Sequence, residues 1–394
     1  MIEKLQIKNL GPIGNVEIEF GDLTILVGPQ ASGKTITLET LKLIEDKDSI
    51  IDTLNKLNYR TGKLETVLDL YYGNGMSSML SQDTFIEHDG LTFGRKNLSP
   101  GIDKENPDES VFYIPAQRVM SVMDGIGRSF SSYSDDTPYV NRKFGETVQR
   151  FIQNGIGRQA VIFPMPTRLK KHIRQRLEES IFHGASVELD EGEFRKRMVL
   201  RVGDSKLPAM AWSAGQREFT PLLLGMYCLT GAPQNVLRNE YYKYVVIEEP
   251  EMGLHPKAIV DVILQILVLI QGEKGPKSSK KYKVIISTHS PVFLEFAWAF
   301  NQLQQMSDVT GKYNALFELL GVKNDIMMKE MLDGVFERKV RTFYLGPESE
   351  GGRAVSQEIS SLDVWSDNSI MEEWGGLSTF ASKATDIVSQ YTAI

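Results

Sequence analysis

Apolar and polar positions alternate at the start of the chain. Ile2, Leu5 and Ile7 mark one strand, and Val16, Ile18 and Phe20 mark a second beyond the Gly11-Pro12 turn. Residues 23–27 (LTILV) form an unbroken run, the pattern of a central strand covered on both faces. A glycine follows at once, and helical spacing then runs from Lys34 to about residue 57. Residues 58–108 are richer in Gly, Ser, Asn and Asp and have weak periodicity, which predicts a β-rich or loop insertion. Residues 110–114 read as a strand stopped by Pro115, and residues 121–137, rich in Ser, Asp and Gly, read as a mobile loop.

Helical patterns resume over residues 139–153 and 168–182, and two alternating segments, 185–189 and 197–202, predict a hairpin. From Ser213 the order is helix, strand, helix, strand, helix, with strands at 244–247 and 284–287. Between those strands, residues 258–270 keep helical spacing but are apolar nearly all round, which predicts a buried helix. About 90 residues after Phe300 mix both periods. No fixed repeat and no sustained heptad appears, so no long coiled-coil arm is expected.

Composition narrows the class only a little. At 394 residues, 41% hydrophobic and 24% charged, the chain is an ordinary globular sequence with room for about two lobes. The net charge of −7 argues against a chain-wide electrostatic preference for nucleic acid. Cys228 is the single cysteine, so no intrachain disulfide and no cysteine-clustered metal site can form. The first ten residues lack a signal-peptide core, and the run at 258–270 is too short to span a bilayer. A cytoplasmic protein without a membrane partner is expected.

Four motifs carry chemistry. The first is Gly28-Pro29-Gln30-Ala31-Ser32-Gly33-Lys34-Thr35, a complete G-x-x-x-x-G-K-T phosphate loop placed between a buried strand and a helix. Its glycines let backbone N–H groups curl toward phosphates, Lys34 would neutralise the β and γ phosphates, and the Thr35 hydroxyl would reach Mg2+. The second is Val245-Val246-Ile247-Glu248-Glu249, which delivers two carboxylates to a strand's C-terminal end. Glu248 is placed to hold Mg2+ and Glu249 to orient and deprotonate water. The third is Ser213-Ala214-Gly215-Gln216 at a helix start, where a serine cap and a helix N-terminus suit a γ-phosphate. The fourth is Ser287-Thr288-His289-Ser290-Pro291, a strand end whose histidine could approach the same phosphate. Taken singly, the commoner readings of the last three are a solvated strand end, a plain helix cap and a satisfied structural histidine.

Taken in order, these motifs resemble the ABC-type ATPase heads of the SMC, RecF and OLD (overcoming lysogenization defect) group. The opening "LQIKNLGPIGNVEIEFGDLTILVGPQASGKT" is similar to that group's first strands, and "VVIEEPEMGLHP" and "VIISTHSP" to its later motifs. The resemblance is specific over about residues 1–60 and 205–300. It implies an α/β fold: a P-loop ABC-type ATPase head with an antiparallel β subdomain, a helical lobe and a small C-terminal α+β extension. The expected boundaries are 1–300 for the ATPase, with its insertion at about 60–205, and 301–394 for the extension.

Matching positions inherit the group's roles. Ser213, Gly215 and Gln216 become a signature motif that contacts ATP on the opposite subunit, Glu249 the general base, and His289 the switch histidine. Residues 251–254 become the segment that crosses the dimer. In "YIPAQR", Gln117 or Arg118 becomes the sensor of γ-phosphate and Mg2+, with Gln117 assigned to nucleotide and metal. Two departures stand out: Gln30 where the group has Asn, and Glu248 where transporters and SMC heads have Asp. The paired glutamates resemble the OLD-like branch.

The implied protein binds ATP and Mg2+, hydrolyses ATP, and forms a homodimer or higher homo-oligomer as an ATP-gated switch. Its expected output is control of a separate effector, a nuclease or toxin, in antiphage defence. The alternatives are a RecF- or SMC-type DNA-repair or chromosome-maintenance ATPase, or a nucleotide-binding regulator with little turnover. No built-in nuclease is expected, because Glu348 and Glu350 have no Asp-x-Asp strand end after them. Two basic stretches leave nucleic acid open as a partner: Arg168, Lys170, Lys171, Arg174 and Arg176, and Arg195, Lys196, Arg197 and Arg201. The commoner alternative is a solvated face paired with Glu178, Glu179 and nearby acids.

Overall fold

The computed structural model describes residues 3–95, 98, 101–103, 107–154, 156, 160–191, 196–230, 242–272, 281–347 and 352–361. The chain opens with β1 (Lys4–Leu10), β2 (Ile13–Glu19) and β3 (Leu23–Val27), then α1 (Lys34–Lys56) and α2 (Leu64–Tyr72). Next come β4 (Leu80–His88), β5 (Leu91–Phe93), β6 (Val111–Ile114) and two short strands, β7 (Val122–Met123) and β8 (Ile126–Gly127). The middle of the chain holds α3 (Tyr139–Asn154), β9 (Val161–Phe163), α4 (Lys171–Leu177), β10 (Ser186–Asp190), β11 (Arg197–Val202), β12 (Ser205–Pro208) and α5 (Ala214–Leu229). Then follow β13 (Tyr244–Glu248), α6 (Pro256–Gln271), β14 (Lys283–Ser287), α7 (Pro291–Gln304), α8 (Val309–Leu319), α9 (Ile326–Leu332), β15 (Val340–Pro347) and β16 (Ala354–Glu358). The described residues are mixed α/β.

The chain divides into two compact units, the first made of residues 1–38, 80–94 and 267–394 and the second of residues 39–79 and 95–266. In the first unit the strands bond in the order β5-β4-β1-β2-β16-β15-β3-β14. One half is an antiparallel meander, in which β1 pairs with both β2 and β4. The other half is parallel around β3, with Ile286 opposite Ile25 on one side and Thr342 opposite Ile25 on the other. All five residues of β3 are buried, as its unbroken run predicts.

In the second unit β6 and β13 pair in parallel, with Ile114 opposite Ile247. A separate antiparallel sheet, β12-β11-β10-β9, contains the predicted hairpin. Two expectations change here. The segment after residue 58 contains the helix α2, which buries Val67, Leu68, Tyr71 and Tyr72. Its nine residues include the helix formers Leu64, Glu65, Leu68 and Leu70, and the buried ones pack its apolar face. Tyr71 and Tyr72 bond the Glu39 carbonyl (2.6 Å) and the Thr40 hydroxyl (2.8 Å) of α1. The segment at 121–137 is irregular but packed rather than a mobile loop. It buries Phe130 and Tyr133, and the Tyr133 hydroxyl donates to the Met120 carbonyl at 3.2 Å.

Candidate functional site

In the first unit, the phosphate loop leaves the C-terminal end of β3 and enters α1. Gly28 has φ +144°, and a side chain there would overlap the Leu345 carbonyl oxygen of β15, so only glycine fits. Pro29, Gln30, Ala31 and Thr35 are exposed, while Ser32, Gly33 and Lys34 are buried. The Lys34 ammonium folds back over the loop and donates to the carbonyls of Gly28 (2.8 Å) and Pro29 (2.7 Å) and to Ser32 Oγ (3.3 Å). Exposed backbone, a helix N-terminus and a cation across the loop fit a polyphosphate chain, and the exposed Thr35 hydroxyl fits its metal.

The strand next to β3 carries the fourth motif. Ser287 of β14 lies opposite Leu26, and the Thr288 N–H continues the pairing to the Leu26 carbonyl at 3.0 Å. Thr288 Oγ1 accepts from the Ser290 N–H (2.9 Å), and Ser290 caps α7, with Pro291 opening that helix. These bonds hold the strand end that carries the half-buried His289 beside the strand that feeds the phosphate loop.

In the second unit, β13 ends in Glu248, which is 3% exposed. Its Oε2 accepts from the Ala116 N–H at 3.2 Å, at the end of neighbouring β6. Glu39, buried on α1, has its pKa held well above the usual carboxylate range, first by burial and then by the charge of Glu248. The half-buried Glu249 has a left-handed backbone, φ +43°. Gln117 is exposed, whereas Arg118 is buried and bonds the backbone carbonyls of Glu218, Glu248 and Glu249. Of these two candidate sensors, only Gln117 is exposed.

Ser213 opens α5 with a reciprocal capping box. Its Oγ accepts from the Gln216 N–H (3.2 Å), and Gln216 Oε1 accepts from the Ser213 N–H (3.1 Å). Gly215 sits against the segment after the carboxylates, where an added Cβ would come within 3.0 Å of the Gly253 carbonyl. The first turn of α5 and residues 251–254 are therefore neighbours.

Among the described residues, four of the nine members of the basic stretches are engaged with groups of the second unit. Arg168 donates to the Tyr227 carbonyl at 3.1 Å, and Arg176 pairs with buried Asp261 of α6 at 2.5 Å. Arg201 pairs with Glu188 and Lys196 with Glu191, each at 2.8 Å. Arg195, Glu348 and Glu350 lie outside the described residues. Among the described residues, no helix is long and apolar enough to cross a membrane.

The first unit thus holds a phosphate loop beside a strand-end Ser-Thr-His, and the second unit holds a strand ending in two glutamates and a serine-capped helix. Residues 1–120 match the family model described as "AAA ATPase domain", and residues 129–295 match "AAA domain, putative AbiEii toxin, Type IV TA system". Between them the two models place AAA-type ATPase-domain sequence over residues 1–120 and 129–295. No curated protein matches it in sequence. Among solved structures it is similar to the SMC head domain from Thermotoga maritima, at 11% identity and TM-score 0.36, over 91% of this chain and 98% of that one. It is also similar to an Smc head bound to the C-winged helix domain of ScpA, at 14% identity and TM-score 0.37, over 91% of this chain and 97% of that one. A bacterial Atm1-family ABC exporter with ATP bound is similar at 9% identity and TM-score 0.33, over 76% of this chain and 36% of that one.

Proposed function

We propose that the chain binds ATP with Mg2+, hydrolyses it, and uses the cycle to open and close a homodimer that controls a separate effector. Lys34 and the loop at 28–35 hold the phosphates, and Thr35, Glu248 and Gln117 serve the metal. Glu249 activates the water, His289 senses the γ-phosphate, and Ser213, Gly215 and Gln216 complete the site of the opposite subunit. Residues 1–300 act as the ATPase body and 301–394 as its extension. The observation that carries this reading is the phosphate loop at the end of buried β3, with His289 on the adjoining strand end.

An effector such as a nuclease or toxin in antiphage defence, in the cytoplasm, fits the match of residues 129–295 to the AbiEii-type description. A RecF- or SMC-type role on DNA draws less support, because Arg168, Arg176 and Arg201 are engaged with protein groups. The Glu249→Gln variant tests the mechanism. It should bind ATP, accumulate as an ATP-bound dimer in size-exclusion light scattering, and lose turnover by about 100-fold or more, the scale of a general base. Unchanged turnover would remove Glu249 from this role. Affinity capture with the trapped variant should retain the effector, and a chain recovered alone would count against the partner.

A further inference from the structure

Arg118 is among the most deeply buried large side chains, 1% exposed, yet it lies one residue beyond the exposed Gln117. Each guanidinium nitrogen meets a different backbone carbonyl. Nε donates to Glu218 in α5 (3.1 Å), Nη1 to Glu248 at the end of β13 (2.9 Å), and Nη2 to Glu249 (3.1 Å). A planar fork of five N–H donors can span three acceptors with fixed mutual geometry, which a lysine cannot do. Glu249 holds a left-handed backbone that a non-glycine residue keeps only when its surroundings impose it. The Glu249 carbonyl accepts both from Arg118 Nη2 and from the Met252 N–H (3.1 Å), so Arg118 is one of the groups that hold it. Its third bond reaches the helix whose first turn is the signature motif, and Gly215 of that turn packs against the carbonyl of Gly253.

We propose that Arg118 is a positioning residue that bolts the Glu248–Glu249 backbone to the signature helix, so that the base and the signature of one chain move as a single body. This rests on the reading of Glu249 as base and of Ser213–Gln216 as the signature presented to the other subunit's nucleotide. On that reading, the bolt mechanically links the two nucleotide sites of a dimer. Closure of the signature onto one ATP sets the carboxylate that acts on the other.

Arg118→Lys and Arg118→Met test this in the full-length protein. Misplacing a catalytic group by about 1 Å costs on the order of 100-fold in rate. Arg118→Met should therefore lower kcat about that much, while the affinity for a fluorescent ATP analogue with Mg2+ changes less than about threefold. Arg118→Lys should recover part of kcat. Amide exchange followed by mass spectrometry should rise together in residues 248–254 and 214–220, and stay unchanged in residues 23–38. A proportional loss of affinity and kcat, or exchange rising in only one of the two segments, would overturn the proposal. If Arg118→Met does not fold, Arg118→Lys alone decides by the same readings. Wild-type protein without turnover would refute hydrolysis instead, and the exchange pattern would still judge Arg118.

Discussion

The buried cation Lys42 offers a sharp test of the second unit. Its ammonium, 1% exposed, lies 2.8 Å from Asp46 and 3.6 Å from Glu109, and donates to the Val111 carbonyl at 2.8 Å. Burial by itself would lower the Lys42 pKa, but Asp46 and Glu109 outweigh it and the net shift is upward. Asp46 sits at the kink of α1 and also accepts from the Ser110 N–H (2.6 Å) and the Val111 N–H (3.2 Å). Burial raises its pKa to about 6 against the pull of Lys42. Glu109 is driven up by burial but held below the usual range by Lys42 and by Lys143, 3.1 Å away.

Replacing Lys42 with methionine keeps the volume and removes the charge. Breaking a buried pair from one side costs about 3–5 kcal/mol, because a charge is left without its partner. The pH dependence has a definite sign. The folded pKa of Asp46 already exceeds its unfolded value of about 3.9, so its contribution is complete below about pH 4 and is lost as pH rises through 6. Without Lys42 that pKa rises further, and the folded variant can take up a proton that the unfolded chain releases. The penalty in Lys42→Met should thus be about 3–5 kcal/mol at pH 7.5 and smaller by at least about 1 kcal/mol at pH 5. Urea unfolding followed by circular dichroism measures it, and amide exchange in β6 and α3 assigns the loss to this unit. Adding Asp46→Asn should restore part of the stability. Equal midpoints for wild type and variant, or the same loss at both pH values, would refute the account.

Three further outcomes follow from the geometry. Gly28→Ala combines a positive φ with overlap on the Leu345 carbonyl, so the first unit should lose about 2–5 kcal/mol, and nucleotide binding should fail with it; thermal melts and a binding titration check both. Ser213→Ala removes one half of the capping box and should cost only about 1 kcal/mol in a urea melt, while ATP turnover falls about 10-fold or more if the hydroxyl also meets a phosphate; a loss of turnover no larger than the loss of stability leaves it a plain cap. Cys228 is fully buried, and burial pushes its thiol up to about 12. It should therefore resist a thiol reagent at pH 8 in native protein and react promptly in denaturant.

The strand β3, the helix after it, the hairpin β10–β11 and the four motifs were legible because each depends on neighbours within a few residues. An unbroken apolar run, a glycine-spaced loop and a serine three residues before a glutamine carry their own physical reasons. Helix α2 was hidden in a stretch of weak periodicity rich in Gly, Ser, Asn and Asp, and contacts with α1 hold it. The residues after Phe300 read only as a mixture of helix and strand, and nothing local says that residues 340–347 lie beside β3, more than 300 residues earlier. The charge row Arg168–Arg176 looked alike at every position, yet whether a guanidinium faces water or Asp261 is decided by a helix folded over it. Arg118 is the clearest case. One position beyond an exposed glutamine, its type announced a charge for a ligand, and burial among three backbone carbonyls turned it into a brace. Sequence alone determined which chemistry the chain carries. Tertiary structure decided which charged groups are free to perform it, because desolvation and hydrogen-bond partners come from residues far apart along the chain.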